Sequence, residues 1–205
     1  LDHLIFEGMR SATVGAVGFI RMEDGNSQNL TMRNILIRDL NMEEPVSYAS
    51  NVLKIRLSGN LYLENIEING SGQSWPGLKI LGDGKGFVKN FRAHNSYNAV
   101  GKPVSIQVYD SLYVEDFVVE NNHFHFSEYS QMSYGGIGSP TAFGRYKRVF
   151  FRNNTIIGEC GGDDSGSGGG IGGEFIQADS IFFINNHSSF GRSCGVISGK
   201  GQISN

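Results

Sequence analysis

The stretch LYLENIEING, Leu61 to Gly70, shows how this 205-residue chain is organised. Apolar and polar residues alternate on both sides of Asn65, which is typical of two short, half-buried strands. Asn tolerates left-handed backbone conformations, and its side-chain amide can bond to backbone groups. We therefore predict a sharp bend at Asn65, between two strands that face the same core.

Similar stretches recur along the whole chain. They begin at Leu4, Leu30, Gly86, Leu112, Val149 and Ile181. Aligned on the position of Asn65, the central residues are Gly8, Asn34, Asn65, Asn90, Asp116, Asn153 and Asn185, with spacings of 26, 31, 25, 26, 37 and 32. Self-similarity at a period of this length predicts a repeat architecture.

Each repeat offers three short strand-like runs, and no stretch shows convincing helical periodicity. Three strands per repeat, stacked about seven times, predict an all-β parallel β-helix in which each coil buries its apolar face on the next. The bend residues are expected to form one hydrogen-bonded ladder of Asn34, Asn65, Asn90, Asp116, Asn153 and Asn185. We expect residues 1–205 to be a single β-helix segment of a longer chain, because both ends fall within the pattern.

The residues just before the predicted bends support this register. They are Glu7, Arg33, Glu64, Lys89, Glu115, Arg152 and Ile184, so the sign of the charge alternates over six successive repeats. In a stack, each outward charge would meet opposite charges above and below, and a slip by one coil would bring like charges together. We therefore expect this face to be structural. The Asn-Asn pairs at Asn153 and Asn185 leave open whether the last two bends are wider or the coils differ in shape.

These repeat units resemble the right-handed parallel β-helix superfamily, the pectin-lyase-like fold, over essentially the whole chain. The resemblance implies a right-handed coil but no single activity, because this fold hosts lyases, hydrolases, epimerases, phage tailspikes, adhesins and structural filaments. The last two repeats also resemble those of polymorphic autotransporter adhesins. That narrower resemblance rests on Phe151-Arg-Asn-Asn154, Phe183-Ile-Asn-Asn186 and Gly169-Gly-Ile171.

Composition excludes some classes of function. A net charge of −3, with 17 basic and 20 acidic residues, argues against a broad nucleic-acid-binding surface. The chain contains no run of 18 apolar residues, so no membrane span is predicted.

Cys160 and Cys194 lie 7 and 9 residues past their predicted bends, which would allow a disulfide in an oxidising compartment or two buried thiols. Four Asn-X-Ser/Thr sequons agree with an extracellular or cell-surface location.

The resemblance directs attention to acidic and basic clusters. Polygalacturonase-like hydrolases show an Asn-Thr-Asp, an Asp-Asp, a Gly-His-Gly and an Arg-Ile-Lys set, and this chain has only the acidic pair Asp163-Asp164. That pair is either a solvated turn or a Ca²⁺ site with hard oxygen ligands. His123, His125 and Glu128 form the densest titratable cluster, which is either an acid–base or metal site or a packed loop. Apart from Ca²⁺, no cofactor is expected.

Aromatic residues recur in one corner of the predicted coil. Tyr48, Trp75, Tyr97 and Tyr129 follow their bends by 14, 10, 7 and 13 residues, and Tyr134 is nearby. In a stack they would form a row along one edge, suited to the apolar faces of sugar rings. Alternatively, the rings pack the loops or contact a neighbouring molecule.

Two functions follow. The preferred one is a noncatalytic extracellular rod or adhesin segment, as in a surface appendage or filament, whose partners are the rest of the chain, neighbouring copies and glycans. The alternative is a polysaccharide lyase, glycoside hydrolase or tailspike-like depolymerase that uses Asp163, Asp164, His123, His125 or Glu128. An enzyme should gather acids and bases in one groove across two or three coils.

Overall fold

A computed structural model describes the backbone of residues 1–8, 10–11, 20–23, 29–39, 41–42, 53–70, 78–95, 99–100, 104–126, 135–138, 143–158, 169–188 and 197–204. Side chains are described for residues 1–8, 29–39, 55–70, 80–95, 106, 108–123, 143–155 and 175–187. All regular structure in these ranges is β-strand, and every pairing between these strands is parallel.

Seven long strands form the main stack, in the order in which they occur along the chain. Numbered in chain order among all strands, they are β1 (Asp2–Glu7), β4 (Leu30–Arg38), β7 (Leu61–Asn69), β9 (Gly86–His94), β12 (Ser111–Glu120), β15 (Phe143–Arg152) and β17 (Gly169–Ile184). Each therefore pairs with the strand one repeat before it and one repeat after it. This order is compatible with a β-helix or another solenoid.

Shorter strands form further stacks in the same sequential order. The second stack contains β3 (Ile20–Glu23), β6 (Leu53–Leu57), β8 (Leu78–Gly82), β11 (Val104–Val108) and β14 (Gly135–Gly138). It joins the main stack because β14 pairs with the first residues of β17, which also pairs with β19 (Ile197–Ser204). The remaining strands are β2 (Arg10–Ser11), β5 (Asn41–Met42), β10 (Ala99–Val100), β13 (His123–Phe126), β16 (Thr155–Gly158) and β18 (His187–Ser188).

Each long strand contains one residue with left-handed backbone and is directly followed by a second, five positions later. The first bends are His3, Asn34, Asn65, Asn90, Asp116, Arg148 and Ser180, with φ between 50° and 60°. The second bends are Gly8, Asp39, Gly70, Asn95, Asn121, Asn153 and Asn185, with φ between 50° and 63°. Gly, Asn and Asp dominate both series because they reach this conformation at the lowest steric cost.

The core lies on the inward side of the long strands. Alternate positions around the first bends are buried, namely Met32, Leu63, Val88, Val114, Tyr146, Ile35, Ile66, Phe91, Phe117, Val149, Ile37, Ile68, Val119 and Phe151. Phe91 stacks on Phe117 with ring centroids 4.8 Å apart. Burial of each such side chain contributes about 1.5–3 kcal/mol to folding, so the repeated apolar columns supply the main stabilising term.

The structure corrects the predicted alignment at three positions. Asn34, Asn65, Asn90 and Asp116 occupy first bends as expected, but Gly8, Asn153 and Asn185 occupy second bends. The strands at those repeats pair so that Asp116 lies opposite Arg148, because Glu115 pairs with Lys147 and Phe117 with Val149. Both bends favour the same residue types, so the sequence offered two alignments five residues apart.

The corrected register extends the alternation of charge. The residues before the first bends are Asp2, Arg33, Glu64, Lys89, Glu115, Lys147 and Asp179, each opposite its neighbour in the pairing. The sign now alternates over seven long strands rather than six. Glu7, Arg152 and Ile184 lie instead before second bends, on a separate outer surface.

Candidate functional site: linked columns on the outer faces

Side-chain amides at the first bends connect four successive strands. Asn34 Nδ2 donates to Asp2 Oδ1 at 2.9 Å, Asn65 Nδ2 to Asn34 Oδ1 at 2.9 Å, and Asn90 Nδ2 to Asn65 Oδ1 at 2.8 Å. All donors point towards the preceding strand. The hydrogen bond from Asn34 holds the pKa of Asp2 below its ordinary value. This ladder is exposed, so it competes with water at every link.

An arginine replaces the amide later in the same column. Asp116 cannot donate in its ionised form, and it accepts from Arg148 Nε at 2.6 Å and Arg148 Nη2 at 2.7 Å. Arg148 Nη2 also lies 2.7 Å from Glu115 Oε1, which is 3.2 Å from Lys147 Nζ. Hydrogen bonds from Arg148 lower the pKa of both carboxyls, so both stay ionised at neutral pH. The cluster links β12 to β15.

A second asparagine ladder lies one residue after the second bends, with its first two members inside the stack and its third, Asn186, exposed. Asn122 Nδ2 donates to Asn154 Oδ1 at 3.0 Å, and Asn154 Nδ2 to Asn186 Oδ1 at 2.9 Å. Each amide also bonds to a backbone carbonyl, at Ala93, Val119 and Phe151 respectively, at distances of 3.2, 2.9 and 2.7 Å. Asn122 and Asn154 are buried. The Asn-Asn pairs thus combine an exposed bend residue with an inward amide, which answers the question raised by the sequence.

The short segment between the two bends carries the most concentrated charge. Glu120 is 3% exposed and accepts hydrogen bonds from Arg92 Nε at 2.7 Å and from Arg152 Nε. The two arginines come from the strands on either side of β12. Burial acts to raise the pKa of Glu120, but the hydrogen bonds from Arg152 and Arg92 outweigh it and hold the pKa below its ordinary value. Glu120 therefore ties three strands together as a carboxylate.

Beside this triad lies a histidine–carboxylate pair. His94 is 6% exposed, and its Nε2 is 2.9 Å from Glu67 Oε1. Asn95 Nδ2 donates to His94 Nδ1 at 2.9 Å, so Nε2 carries the proton and faces the carboxylate. We name these residues, with Arg92, Glu120 and Arg152, the inter-bend cluster. It gathers acids and bases across the neighbouring strands β7, β9, β12 and β15.

Aromatic rings stack along the outer surface of the segment before the first bends. Tyr62 and Phe87 have ring centroids 4.9 Å apart, and Phe87 and Tyr113 5.2 Å apart, with nearly parallel planes. A separate stack between the two bends joins Phe150 to Phe182 at 4.8 Å. In both stacks the ring faces cover each other, so ring edges face outward. Sugar stacking needs open ring faces, which these arrangements leave only at their ends.

Most of the residues proposed from sequence as catalytic or binding groups lie outside the described residues. These are Tyr48, Trp75, Tyr97, Tyr129 and Tyr134, the acidic Asp163, Asp164 and Glu128, and the cysteines Cys160 and Cys194. His123 begins β13 and is half-buried, and His125 lies on the same strand opposite Val100 and Ile157. The row of corner aromatics, the disulfide and the Ca²⁺ site therefore remain predictions.

Within the described ranges, no three His, Cys, Asp or Glu side chains are grouped closely enough to hold a metal ion. The same ranges contain no helix of the length and apolarity that a membrane span requires. Comparison of the chain with protein-family models, curated proteins and solved structures finds no match. The assignment of architecture therefore rests on the strand register itself.

The inter-bend cluster was missed in the sequence because its members are far apart along the chain. Arg92 and Glu120 are 28 residues apart, and Glu120 and Arg152 are 32 apart. Placing the second bends in one column would have aligned His94, Glu120 and Arg152, each of which directly precedes a second bend. The signal was therefore present, but it depended on recognising two bends per repeat.

Proposed function

We propose that this chain is a noncatalytic structural or adhesin segment of an extracellular or cell-surface rod. In this proposal the strand stacks are the faces of a right-handed parallel β-helix of about seven coils with three short strands per coil. The sequential order of the strands and the two bends in each long strand support that geometry. Such a segment provides stiffness and presents its loops at regular intervals.

The observation that carries the proposal is the pairing of acidic side chains. Five of those described form ion pairs with an arginine or lysine on a neighbouring strand, namely Glu7, Glu64, Glu115, Asp116 and Glu120. Asp2 and Glu67 each lie within hydrogen-bonding distance of a histidine ring nitrogen. The shifted carboxyl pKa values among the described residues are all lowered. A general acid for glycoside cleavage needs the opposite shift. These carboxylates are therefore better suited to holding strands together.

One observation favours the alternative of a polysaccharide-active enzyme. The inter-bend cluster brings Glu67, His94, Arg92 and Arg152 together on one outer surface, and the arginines are about half exposed. A cluster of titratable groups across adjacent strands is a common arrangement in active sites. Under this alternative Glu67 and His94 would be the acid–base pair, beside the candidates Asp163, Asp164, His123, His125 and Glu128.

A panel of polysaccharides separates the two functions. Pectins, alginate, glycosaminoglycans and bacterial capsules would be incubated with the chain and assayed for binding and for new reducing or unsaturated ends. The rod proposal expects no cleavage of any member. Cleavage that is abolished in Glu67→Gln or His94→Ala would overturn the proposal and assign the chemistry to the inter-bend cluster.

Glycan binding without cleavage would refine the proposal towards an adhesin. The aromatic residues proposed from sequence, with Trp75 first, are the groups to test, because an indole has the largest ring face on which a sugar can stack. Trp75→Ala should then abolish retention on the bound polysaccharide. Phe150→Ala is the matched control, because this ring is already covered by Phe182.

A further inference from the structure

The outer surface before the first bends combines exposed aromatic rings with a regular pattern of charge. We call it the aromatic face and define it as residues 29–33, 60–64, 85–89, 111–115, 143–147 and 175–179. Its outward aromatic side chains are Tyr62, Phe87, Tyr113, Phe143 and Phe175. Tyr62 is 38% exposed, Phe143 40% and Phe175 54%. Tyr62, Phe87 and Tyr113 form one column, whereas Phe143 and Phe175 form a second column two residues further from the bends. Exposed aromatic residues grouped on one surface mark an interaction site more often than a free surface.

We infer that the aromatic face binds the same face of a second copy of this chain in a symmetric dimer. In this antiparallel arrangement the strand stacks of the two copies run in opposite directions. The inference goes beyond the proposed rod function and does not depend on whether the chain binds a glycan. Because ring edges rather than ring faces point outward, the surface suits protein packing better than sugar stacking.

The alternating charge column is complementary to the same column of a second copy and favours one relative orientation. A two-fold axis parallel to the strands, passing between β9 and β12, places each strand opposite a different strand of the partner. Lys89 then faces the partner's Glu115, Glu64 faces the partner's Lys147, and Arg33 faces the partner's Asp179. All three contacts join opposite charges, and each occurs twice by symmetry. The aromatic residue Phe87 faces the partner's Tyr113.

Other symmetric arrangements are less favourable. Shifting the axis onto β9 places Lys89 opposite the partner's Lys89 and Glu64 opposite the partner's Glu115. A parallel arrangement, with the axis along the stack through the ring column, places Lys89 opposite the partner's Lys85. Contact between like charges disfavours both of these arrangements. An axis between β7 and β9 also joins opposite charges, with Lys89 facing the partner's Glu64, so charge selects the antiparallel orientation but not the register. Mixing Lys89→Glu with Glu115→Lys restores the contacts only where the axis lies between β9 and β12.

The area of the face sets the expected strength. Six strands about 4.8 Å apart and five residues at about 3.3 Å each cover roughly 29 Å by 17 Å. The dimer would bury about 1,000 Å² in total, which is at the low end for specific complexes. We therefore expect a weak, reversible dimer that becomes populated at high protein concentration or high local density, as along a surface appendage.

Exchange of charges between two variants tests the inference directly. Sedimentation equilibrium would be measured up to about 1 mM, where even a millimolar complex is substantially populated. The wild-type chain should dimerise, whereas Lys89→Glu and Glu115→Lys alone should each weaken dimerisation at least about tenfold. An equimolar mixture should regain wild-type association, because the heterodimer restores both Lys–Glu contacts. Rescue on mixing cannot arise from a fold defect in one chain.

A second pair and an aromatic control keep the test decisive. If Glu115→Lys fails to fold, Glu64→Lys mixed with Lys147→Glu should show the same rescue. Phe87→Lys should abolish the dimer, whereas Phe150→Lys, which breaks the other outer aromatic stack, should leave it unchanged. Three outcomes would each overturn the inference. The wild-type chain could stay monomeric, the mixture could associate no more strongly than its separate variants, or Phe87→Lys and Phe150→Lys could weaken dimerisation equally.

Discussion

The two asparagine ladders use the same side chain in opposite surroundings. Asn34, Asn65 and Asn90 link strands at exposed bends, and their amides bond mainly to each other. Asn122 and Asn154 lie in the interior, where each amide also bonds to a backbone carbonyl that water cannot reach. A buried group left without a partner costs its full desolvation energy, whereas an exposed group regains water. The buried ladder should therefore contribute more to stability.

Asn154→Ala should give the largest effect. The substitution removes the hydrogen bonds from Asn154 Nδ2 to Val119 O and Asn186 Oδ1, and the hydrogen bond that the backbone N–H of Asn122 donates to Asn154 Oδ1. We expect a loss of about 3–4 kcal/mol in the free energy of unfolding, measured by chemical denaturation. A loss no greater than that of Asn65→Ala would remove the distinction between the ladders.

Glu120→Gln extends the comparison to charged links. The change leaves Arg92 and Arg152 without a counter-ion, and we expect a loss of about 2–3 kcal/mol, reduced from the usual cost of breaking a buried pair because both arginines are half exposed. Glu115→Gln is the matched control. Its carboxylate is partly exposed, so it should cost less than about 1 kcal/mol. Equal losses in the two variants would contradict the role of burial.

Acid should weaken the ion pairs that Glu120 forms with Arg92 and Arg152. Because the pKa of Glu120 is lower in the folded chain than in the unfolded one, its contribution is fully present above the unfolded value of about 4.3. The contribution is lost as pH falls through the lower, folded value. The free energies of unfolding of wild type and Glu120→Gln, measured by denaturation from about pH 7 down to about pH 3, should therefore approach each other as the pH falls. A constant difference in free energy of unfolding over this pH range would exclude Glu120 as a source of acid sensitivity.

Asn65→Ala and Asn65→Gly divide the exposed ladder into its parts. Both variants lose the hydrogen bonds to Asn34 and from Asn90, but glycine still reaches the left-handed backbone at φ 55°. We expect a loss of about 2 kcal/mol for alanine and about 1 kcal/mol for glycine, again by denaturation. A glycine variant less stable than the alanine variant would show that backbone strain is not a part of the cost.

The smallest effect is expected from Arg33→Glu. Arg33 Nε is 3.2 Å from Glu64 Oε2, and both side chains are well exposed. Reversing the charge should cost about 0.5–1 kcal/mol at low salt and less at high salt, because solvent screens surface pairs. Measuring the free energy of unfolding at two salt concentrations checks both statements, and salt-independence would argue against an electrostatic cause.

Much of the fold follows from local pattern. The alternation in LYLENIEING predicts the strand, and Asn65 predicts the bend, because steric limits on left-handed backbone act on single residues. The position of the later bends was not predictable in the same way. Arg148 and Ser180 occupy first bends although neither residue type favours that conformation. Their placement follows from the pairing of β15 with β12 and of β17 with β15, which involves residues about 32 positions apart.

The candidate site was less predictable than the fold. Sequence reasoning proposed residues that stand close together along the chain, such as His123, His125 and Glu128. The inter-bend cluster instead joins Glu67, His94, Arg92, Glu120 and Arg152 across strands. Such a cluster depends on which strand lies above which, and the insertion lengths between repeats hide that relation in the sequence.

The sequence by itself determined an all-β chain of short strands, stacked in order, with polar residues at sharp bends. Those features depend on local sterics and on the burial of alternating apolar side chains. Only the tertiary structure decided that each long strand has two bends, that the charge column alternates over all seven strands, and that Glu120 binds two arginines. The physical reason is register, because a shift of five residues exchanges one bend position for the other and changes which side chains meet.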